Sequence, residues 1–437
     1  MRLDTRTLTN QRLGEFIEGV LGQKIEWPCY AWNVDTLSLA AIFYHPDMAL
    51  ASAQADSAEA ANITAAQRPN PTINPSTSYL THIATAAMPW YALSNLNLPI
   101  ETAGKRDFRM DKARHLAEAA RLRVKDAAWQ VRGRVRQAWL EVYAAQEAER
   151  LLRRQFGIQE SLTARLEQLA SAGEITRLEA IRSRLALNPL QLNLDGARKR
   201  CLESRVMLAV AVGVPVDAWS GIVFDFTDLS KPPTLNDIPA RDLKAIALRQ
   251  RPDVLAALAD YDAAQSALQI EIANQYPNIQ ANPGYAWEVG ENLWTLGATI
   301  QLPVMHQNQG LIAEAEAKRR EFAVRFEALQ VRIVGDVDRA HAGVAALVGK
   351  WLDAEKLTRL QEDNLRASQA QFRAGEIDRL AVLAAELESA IAERVRLDVL
   401  IETQQALNGL EDSLRYPLAS VLGVELIPNS AIRKTPQ

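Results

Sequence analysis

The chain has 437 residues, 48% of them hydrophobic, a length that allows two or three ordinary domains and a large buried core. Its 49 Lys+Arg against 53 Asp+Glu leave a net charge of −4, with no basic excess to grip a phosphate backbone, which excludes nucleic acid as a partner. Two cysteines, Cys29 and Cys201, write neither a disulfide framework nor a Cys-rich metal site, and no run of about 18 apolar residues is present, so any membrane crossing must use strands.

Residues 1–31 have no assignable role. The first 26 carry charges throughout, without the apolar core or small-residue cleavage site of a secretory signal. Trp27 and Pro28 stand where a lipoprotein signal places small residues before its cysteine, so lipidation at Cys29 is not expected. The missing export signal points to a wrong start or an altered N-terminus.

From residue 32 onward the chain reads as a duplication. His45-Pro46-Asp47 answers Arg251-Pro252-Asp253, and Pro71-Thr72-Ile73 answers Pro277-Asn278-Ile279. Trp90 with Leu98-Pro99-Ile100 answers Trp294 with Leu302-Pro303-Val304. AGEITRL, from Ala172, answers AGEIDRL, from Ala374, and Val212-Gly213-Val214 answers Leu422-Gly423-Val424. Five landmarks in one order at a nearly constant offset mean that a unit of roughly 200 residues was duplicated, with small indels in loops. The copies span residues 32–224 and 240–425, joined by a polar, Pro-bearing linker at residues 225–239 and followed by a tail at residues 426–437.

Each copy reads helix, strand, strand, long helix, turn, helix. The strands are expected at about residues 71–81 and 89–99, then at 277–288 and 292–302. In the second copy Phe322, Phe326, Leu329, Ile333, Val337, Ala340, Val344, Leu347 and Trp351 recur at steps of three and four, a coiled-coil-like stripe. With no proline from residue 310 to 372, this helix is expected to run about 90 Å at 1.5 Å per residue. Helices at about residues 252–275 and 376–422 together match that length and pair along it. AGEIDRL is then the hairpin turn, with Gly375 taking a left-handed helix-ending conformation, and Gly173 does the same in the first copy.

Between the helices the period switches to two. Ile279, Ala281, Pro283, Tyr285 and Trp287 share one face, while Asn278, Gln280, Asn282, Gly284 and Glu288 share the other. Trp294, Leu296, Ala298, Ile300 and Leu302 alternate with Thr295, Gly297, Thr299 and Gln301. Apolar-out, polar-in strands of about ten residues with aromatics toward one end are the pattern of membrane β-barrels; an ordinary half-buried hairpin gives the same alternation. In the first copy Trp90, Ala92, Leu96 and Leu98 share a face, and Pro75 is expected to interrupt the partner strand. Two hairpins supply four strands, too few for a barrel. Two chains would supply eight, with an interior nearly filled by side chains; three supply twelve and leave a lumen, which is the better reading.

The residues from Trp294 to Arg319, WTLGATIQLPVMHQNQGLIAEAEAKR, resemble the strand-to-helix junction of TolC-type outer-membrane efflux channels. Asn308-Gln309-Gly310 and LNLPIETAGKR in the first copy are closest to the branch serving cobalt-zinc-cadmium and related heavy-metal exporters. Phe372-Arg373-Ala374-Gly375 followed by Leu380, Val382-Leu383 and Ala385 resembles the family's helix-hairpin tip. The resemblance runs from about residue 32 to 424. It implies a mainly α fold with membrane β: a homotrimer whose α-helical tunnel of twelve helices carries a 12-stranded β-barrel in the outer-membrane lipid. It also implies docking to a periplasmic adaptor protein and an inner-membrane efflux pump, with this chain the passive conduit for export.

On that basis the tips comprise Gly173, Glu174, Arg177, Gly375, Glu376, Asp378 and Arg379. The lumen face comprises Asn278, Gln280, Asn282, Thr295, Thr299 and Gln301, and the lipid face Tyr285, Trp287, Trp294, Leu296 and Ile300. Glu174, Glu376 and Asp378 have a second reading as helix caps or solvated first-turn charges. Many relatives ring the tunnel mouth with acids beside the tip; here Ala381 and Ala384 flank Val382-Leu383 and only Glu179 keeps the acidic type, which speaks against a strong cation-binding ring. The histidines, His45, His82, His115, His306 and His341, never fall at metal-ligand spacing, though His306 sits where a strand would enter the tunnel. Neither enzyme site, metal site nor cofactor is expected. The alternative is a soluble coiled-coil scaffold without a pore, in which the hairpins pack as a small sheet.

Overall fold

The structure is a computed structural model that describes residues 3–22, 24–79, 81, 89–230, 242–288 and 290–418. His82, most of the linker and the tail at residues 426–437 lie outside the described residues. The chain divides into two units, residues 1–50, 125–251 and 331–437 in one and residues 51–124 and 252–330 in the other.

The second of these units holds a four-stranded antiparallel sheet of β2 (Thr72–Tyr79), β3 (Trp90–Ile100), β5 (Ile279–Glu288) and β6 (Glu291–Ile300) in the order β2-β3-β5-β6. Both hairpins therefore join one sheet, leaving β2 and β6 as open edges. Pro75 does not interrupt its strand but pairs opposite Ser94. It is tolerated because β2 is an edge, where a missing N–H can face outward. Pro283 lies in a central strand, and the β3–β5 ladder omits the pair at Leu96 opposite it and the adjacent pair of Asn97 with Asn282.

Helices enter and leave this sheet in equivalent pairs. α3 (Pro46–Ala66) and α7 (Pro252–Ala273) lead in, and α4 (Lys105–Ser171) and α8 (Gln309–Arg373) lead out. At 67 and 65 residues the outgoing helices are about 100 Å long.

The helical unit is built on the remainder of α4 and α8 with α5 (Arg177–Val212) and α9 (Arg379–Leu414). α9 ends at Leu414 rather than near residue 422, because Arg415 turns left-handed with φ 50°. α5 lies on α4, where Gln159 and Thr163 bond Ser183 and Arg198 reaches Glu149. α9 lies between α4 and α8: Arg154 pairs with Glu393 across one boundary, and Lys350 pairs with Glu402 across the other. Tyr143 of α4 packs on Trp351, Ala354, Val399 and Leu400 of α8 and α9. The contacts thus order the helices α5, α4, α9, α8.

The N-terminal segment is part of this unit. Asn10 caps α1 (Gln11–Leu21), whose Leu13 and Ile17 are fully buried. Arg6 donates to the carbonyls of Tyr44 at 2.9 Å, in α2 (Val34–Tyr44), and of Gly213 at 2.8 Å. β1 (Ala31–Trp32) pairs in parallel with β4 (Val223–Phe224), and Trp139 meets Phe224 edge to face and Phe226 at a tilt. The start of the expected linker is therefore fixed by aromatic packing. A short helix α6 (Leu243–Gln250) opens the second copy.

Candidate functional site

The sheet has two chemically distinct faces, and the register fixes their membership. Tyr285 lies opposite Trp294, Pro283 opposite Leu296, Ala281 opposite Ala298 and Ile279 opposite Ile300. β3 adds Ala92, Leu96, Leu98 and Ile100 to this apolar face, and β2 adds Ile73 and Tyr79. Cross-strand aromatic pairs recur in both hairpins, Tyr79 with Trp90 at 5.1 Å and Tyr285 with Trp294 at 4.9 Å between ring centroids. Such pairs fit the antiparallel geometry that brings opposite side chains within reach.

The other face is polar and uncharged through its middle. Gly284, Thr295, Asn95 and Asn74 form one row, with Asn97 and Thr72 in the next. Asn282 donates to Thr299 at 2.7 Å. Gly284 leaves the space this crowding requires, since a Cβ there would sit 2.4 Å from Asn95 Oδ1 and 2.5 Å from Thr295 Oγ1. Leu93, Ala286 and Leu293 interrupt the polar face with one apolar row. Asn74, Asn95 and Asn97 were not singled out from sequence, although the alternation of Asn95, Leu96, Asn97 and Leu98 carries them.

Two residues expected on the lumen strands lie just outside them. Asn278 precedes β5, and its Oδ1 accepts from the buried Lys105 ammonium at 2.7 Å, which also donates to the Tyr276 carbonyl. Burial holds the Lys105 pKa below its ordinary value. Gln301 follows the last paired residue, Ile300. Tyr285, Trp287, Trp294, Leu296 and Ile300 all lie within strands, on the apolar face.

The two tips share one backbone solution. Gly173 and Gly375 have φ of 78° and 79°. Glu174 N–H bonds the Leu169 carbonyl at 3.0 Å, and Glu376 N–H bonds that of Gln371 at 2.9 Å, closing the paired pattern that satisfies helix-end carbonyls. The following helices are capped by Thr176, which accepts from Glu179 N–H at 3.4 Å, and by Asp378, which accepts from Ala381 N–H at 2.9 Å. Asp378 is thus a helix cap in this structure. Glu174, Arg177, Glu376 and Arg379 are exposed, with Arg379 near Glu386 at 3.4 Å. Val382 and Leu383 are buried, which leaves Ala381 and Ala384 as the exposed positions beside the second tip.

A buried charge cluster escaped the sequence reading. Glu411 of α9 accepts from Arg132 at 2.9 Å and lies 2.6 Å from Arg136. Arg132 and Glu411 are nearly inaccessible to solvent. Burial lowers the Arg136 pKa against the pull of Glu411. The signal was a carboxylate in the apolar register of Leu407, Leu410 and Leu414.

Among the described residues no group of His, Cys, Asp and Glu could hold a metal ion. His45 is a buried helix terminator whose Nδ1 accepts from Asp47 N–H. Both cysteines are free, and burial and Glu149 push the Cys201 thiol up to about 11. No described helix is long and apolar enough to cross a membrane.

Comparison with known proteins places this architecture. The chain matches the profile of the family "Outer membrane efflux protein" over residues 40–214 and 244–414. It is 25% identical over 369 residues to the cobalt-zinc-cadmium resistance protein CzcC of Cupriavidus metallidurans, covering 82% of this chain and 84% of that one. It is 24% identical over 302 residues to the pyoverdine export outer membrane protein OpmQ of Pseudomonas putida, covering 69% and 61% respectively. The crystal structure of CusC aligns over 90% of this chain and 94% of its own with a TM-score of 0.71 at 18% identity.

Proposed function

The chain belongs to the outer membrane efflux protein family, and on that premise we propose that three copies join edge to edge into a twelve-stranded barrel continued by a helical tunnel. The protein is the outer-membrane channel of a tripartite efflux system, working with an adaptor and an inner-membrane pump. Family membership decides for the channel over the soluble scaffold.

The observation that carries the trimer is the open four-stranded sheet with one apolar face and one polar face that is uncharged through its middle. Its unpaired edges, β2 and β6, demand partners. Four strands from each of three chains give a barrel wide enough for a lumen, whereas eight nearly fill with side chains. Tyr285, Trp287, Trp294, Leu296 and Ile300 then face lipid, and Gln280, Asn282, Thr295 and Thr299 face water. Asn278 and Gln301 sit at the rim. The tips, Gly173 to Arg177 and Gly375 to Arg379, meet the adaptor.

The chain is a passive conduit without catalytic chemistry, and its cargo is heavy-metal cations, a reading supported by CzcC, of which it covers 84%. The test is the mass of the detergent-solubilised protein together with complementation. A mass three times 48.4 kDa, plus restored cobalt, zinc and cadmium resistance in a strain lacking its own channel, is expected. A two-chain mass overturns the barrel. Restored pyoverdine export without metal resistance overturns the cargo.

A further inference from the structure

The two copies leave the sheet in the same sequence register but with opposite chemistry. Leu98-Pro99-Ile100 corresponds to Leu302-Pro303-Val304, Glu101 to Met305, and Gly104 to Asn308, the last two both left-handed at φ 71° and 61°.

At the first exit the chain stays paired and charged. Leu98 and Ile100 lie opposite Ala281 and Ile279. Glu101 forms an ion pair with Arg109, and Thr102 donates to the Pro277 carbonyl at 2.7 Å. At the second exit pairing stops at Ile300, because the positions that would continue the register, 278 to 275, belong to the turn leaving α7. The segment beyond Gln301 is apolar and bare: Leu302 is 70% exposed, Val304 77% and Met305 93%.

We propose that residues 302–305 are a lipid anchor, inserted in the membrane at the helix-side end of the barrel. The proposal rests on the barrel reading, since it extends the apolar face of Leu296, Ala298 and Ile300 past the end of the strand. Two features select lipid over a second copy. No Asp, Glu, Lys or Arg occurs from Asn292 to Ala313, whereas the first exit places Glu101, Lys105, Arg106, Asp107 and Arg109 within nine residues. Charges are expelled from the hydrocarbon and most strongly near its centre. A neighbouring copy's β2, arriving as β5 does beside the first exit, would pair through backbone groups and leave the apolar side chains facing outward. The segment is also bent, with Val304 N–H bonded to the Leu302 carbonyl at 2.9 Å, so it offers no straight ladder. An apolar patch refused by strand pairing and free of charge fits a lipid surface.

The experiment uses the full chain with Cys29→Ser and Cys201→Ser, single cysteines at Met305, Leu296 or Thr295, and an environment-sensitive fluorophore. Each is reconstituted in phosphatidylcholine vesicles carrying nitroxide on the acyl chains. The label at Met305 is expected to shift to the blue and lose emission to the same degree as the label at Leu296, while that at Thr295 does neither. Quenching at Leu296 but not at Met305 overturns the anchor and leaves the barrel. A blue shift at Met305 without quenching means that a second copy covers the segment, and also overturns it. Quenching at neither position overturns the barrel and the anchor with it. Should Met305→Cys fail to insert, Val304→Cys gives the same reading.

Discussion

α5 and α9 are the same helix written twice, and they bury different amounts of themselves. Each has 36 residues, begins one residue after its side-chain cap, and ends before a left-handed residue, Gly213 or Arg415. Yet Ile181 is 53% exposed while its counterpart Leu383 is 4% exposed. The reason is position, not propensity. α9 has α4 on one flank and α8 on the other, whereas the tip end of α5 is flanked by α4 alone among the described residues, so Leu178, Ile181 and Leu185 stand bare. Duplication copies the element; the neighbour decides which of its stripes becomes core.

The largest break in this comparison comes from giving α9 the residue of α5. Glu411 corresponds to Ala209, which is buried without any charge. Glu411→Ala strands Arg132 and Arg136 in the interior, and removing one partner of a buried ion pair costs about 3–5 kcal/mol. A urea titration of the detergent-solubilised protein should show the midpoint fall sharply, with the reverse exchange, Ala209→Glu, also destabilising because it puts a carboxylate at a fully buried apolar position. Unchanged midpoints would mean that the cluster is solvated and that the copies are interchangeable there.

The hairpins give the next largest effect. Arg at Leu296, on the apolar face, should cost about 2–4 kcal/mol near the bilayer midplane, and Arg at Thr295, on the polar face, much less. Ala92 is the first copy's counterpart of Leu296 and should behave like it, as measured by folding titrations into vesicles. Equal tolerance at positions 295 and 296 would refute the assignment of faces.

Element types and turns were legible because their causes are local. The long helices show in an uninterrupted apolar period, the strands in a switch to period two, and the tips in the repeated AGEI. What could not be read depended on neighbours far along the chain. Pro75 looks like a strand breaker until β2 proves to be an edge, and Asn278 looks like a lumen residue until Lys105, 173 positions away, takes its side chain. Glu411 likewise carries no local mark of the two arginines it pairs with. Asp378 could be read both as a cap and as a contact, and the structure supplies the cap.

The tip glycines come third. A β-branched residue at φ near +79° carries left-handed strain of roughly 1–2 kcal/mol or moves the turn. No neighbour lies within 4 Å of an added Cβ at either glycine, so the effect is backbone strain alone. Gly375→Val should yield normal trimers with reduced adaptor cross-linking. Gly173→Val should do so to a different degree, because bare Leu178 and Ile181 adjoin only that tip. Full cross-linking in both variants would reduce the turns to connectors.

The smallest effect separates the two readings of the caps. Asp378 accepts its first-turn N–H at 2.9 Å and carries a charge favoured at a helix N-terminus, whereas Thr176 accepts at 3.4 Å and is neutral. Removing either cap with alanine should cost about 1 kcal/mol or less, the larger part at Asp378, seen as faster hydrogen exchange at the Ala381 amide than at Glu179. Asp378→Thr keeps a cap and removes only the carboxylate, so its stability should change by a few tenths of a kcal/mol. If adaptor cross-linking survives Asp378→Thr but weakens in Asp378→Ala, the side chain acts by holding the first turn of α9. If it is lost in both while the Ala381 amide stays protected in Asp378→Thr, the carboxylate is itself the contact, and the difference between AGEITRL and AGEIDRL is a difference in partner recognition.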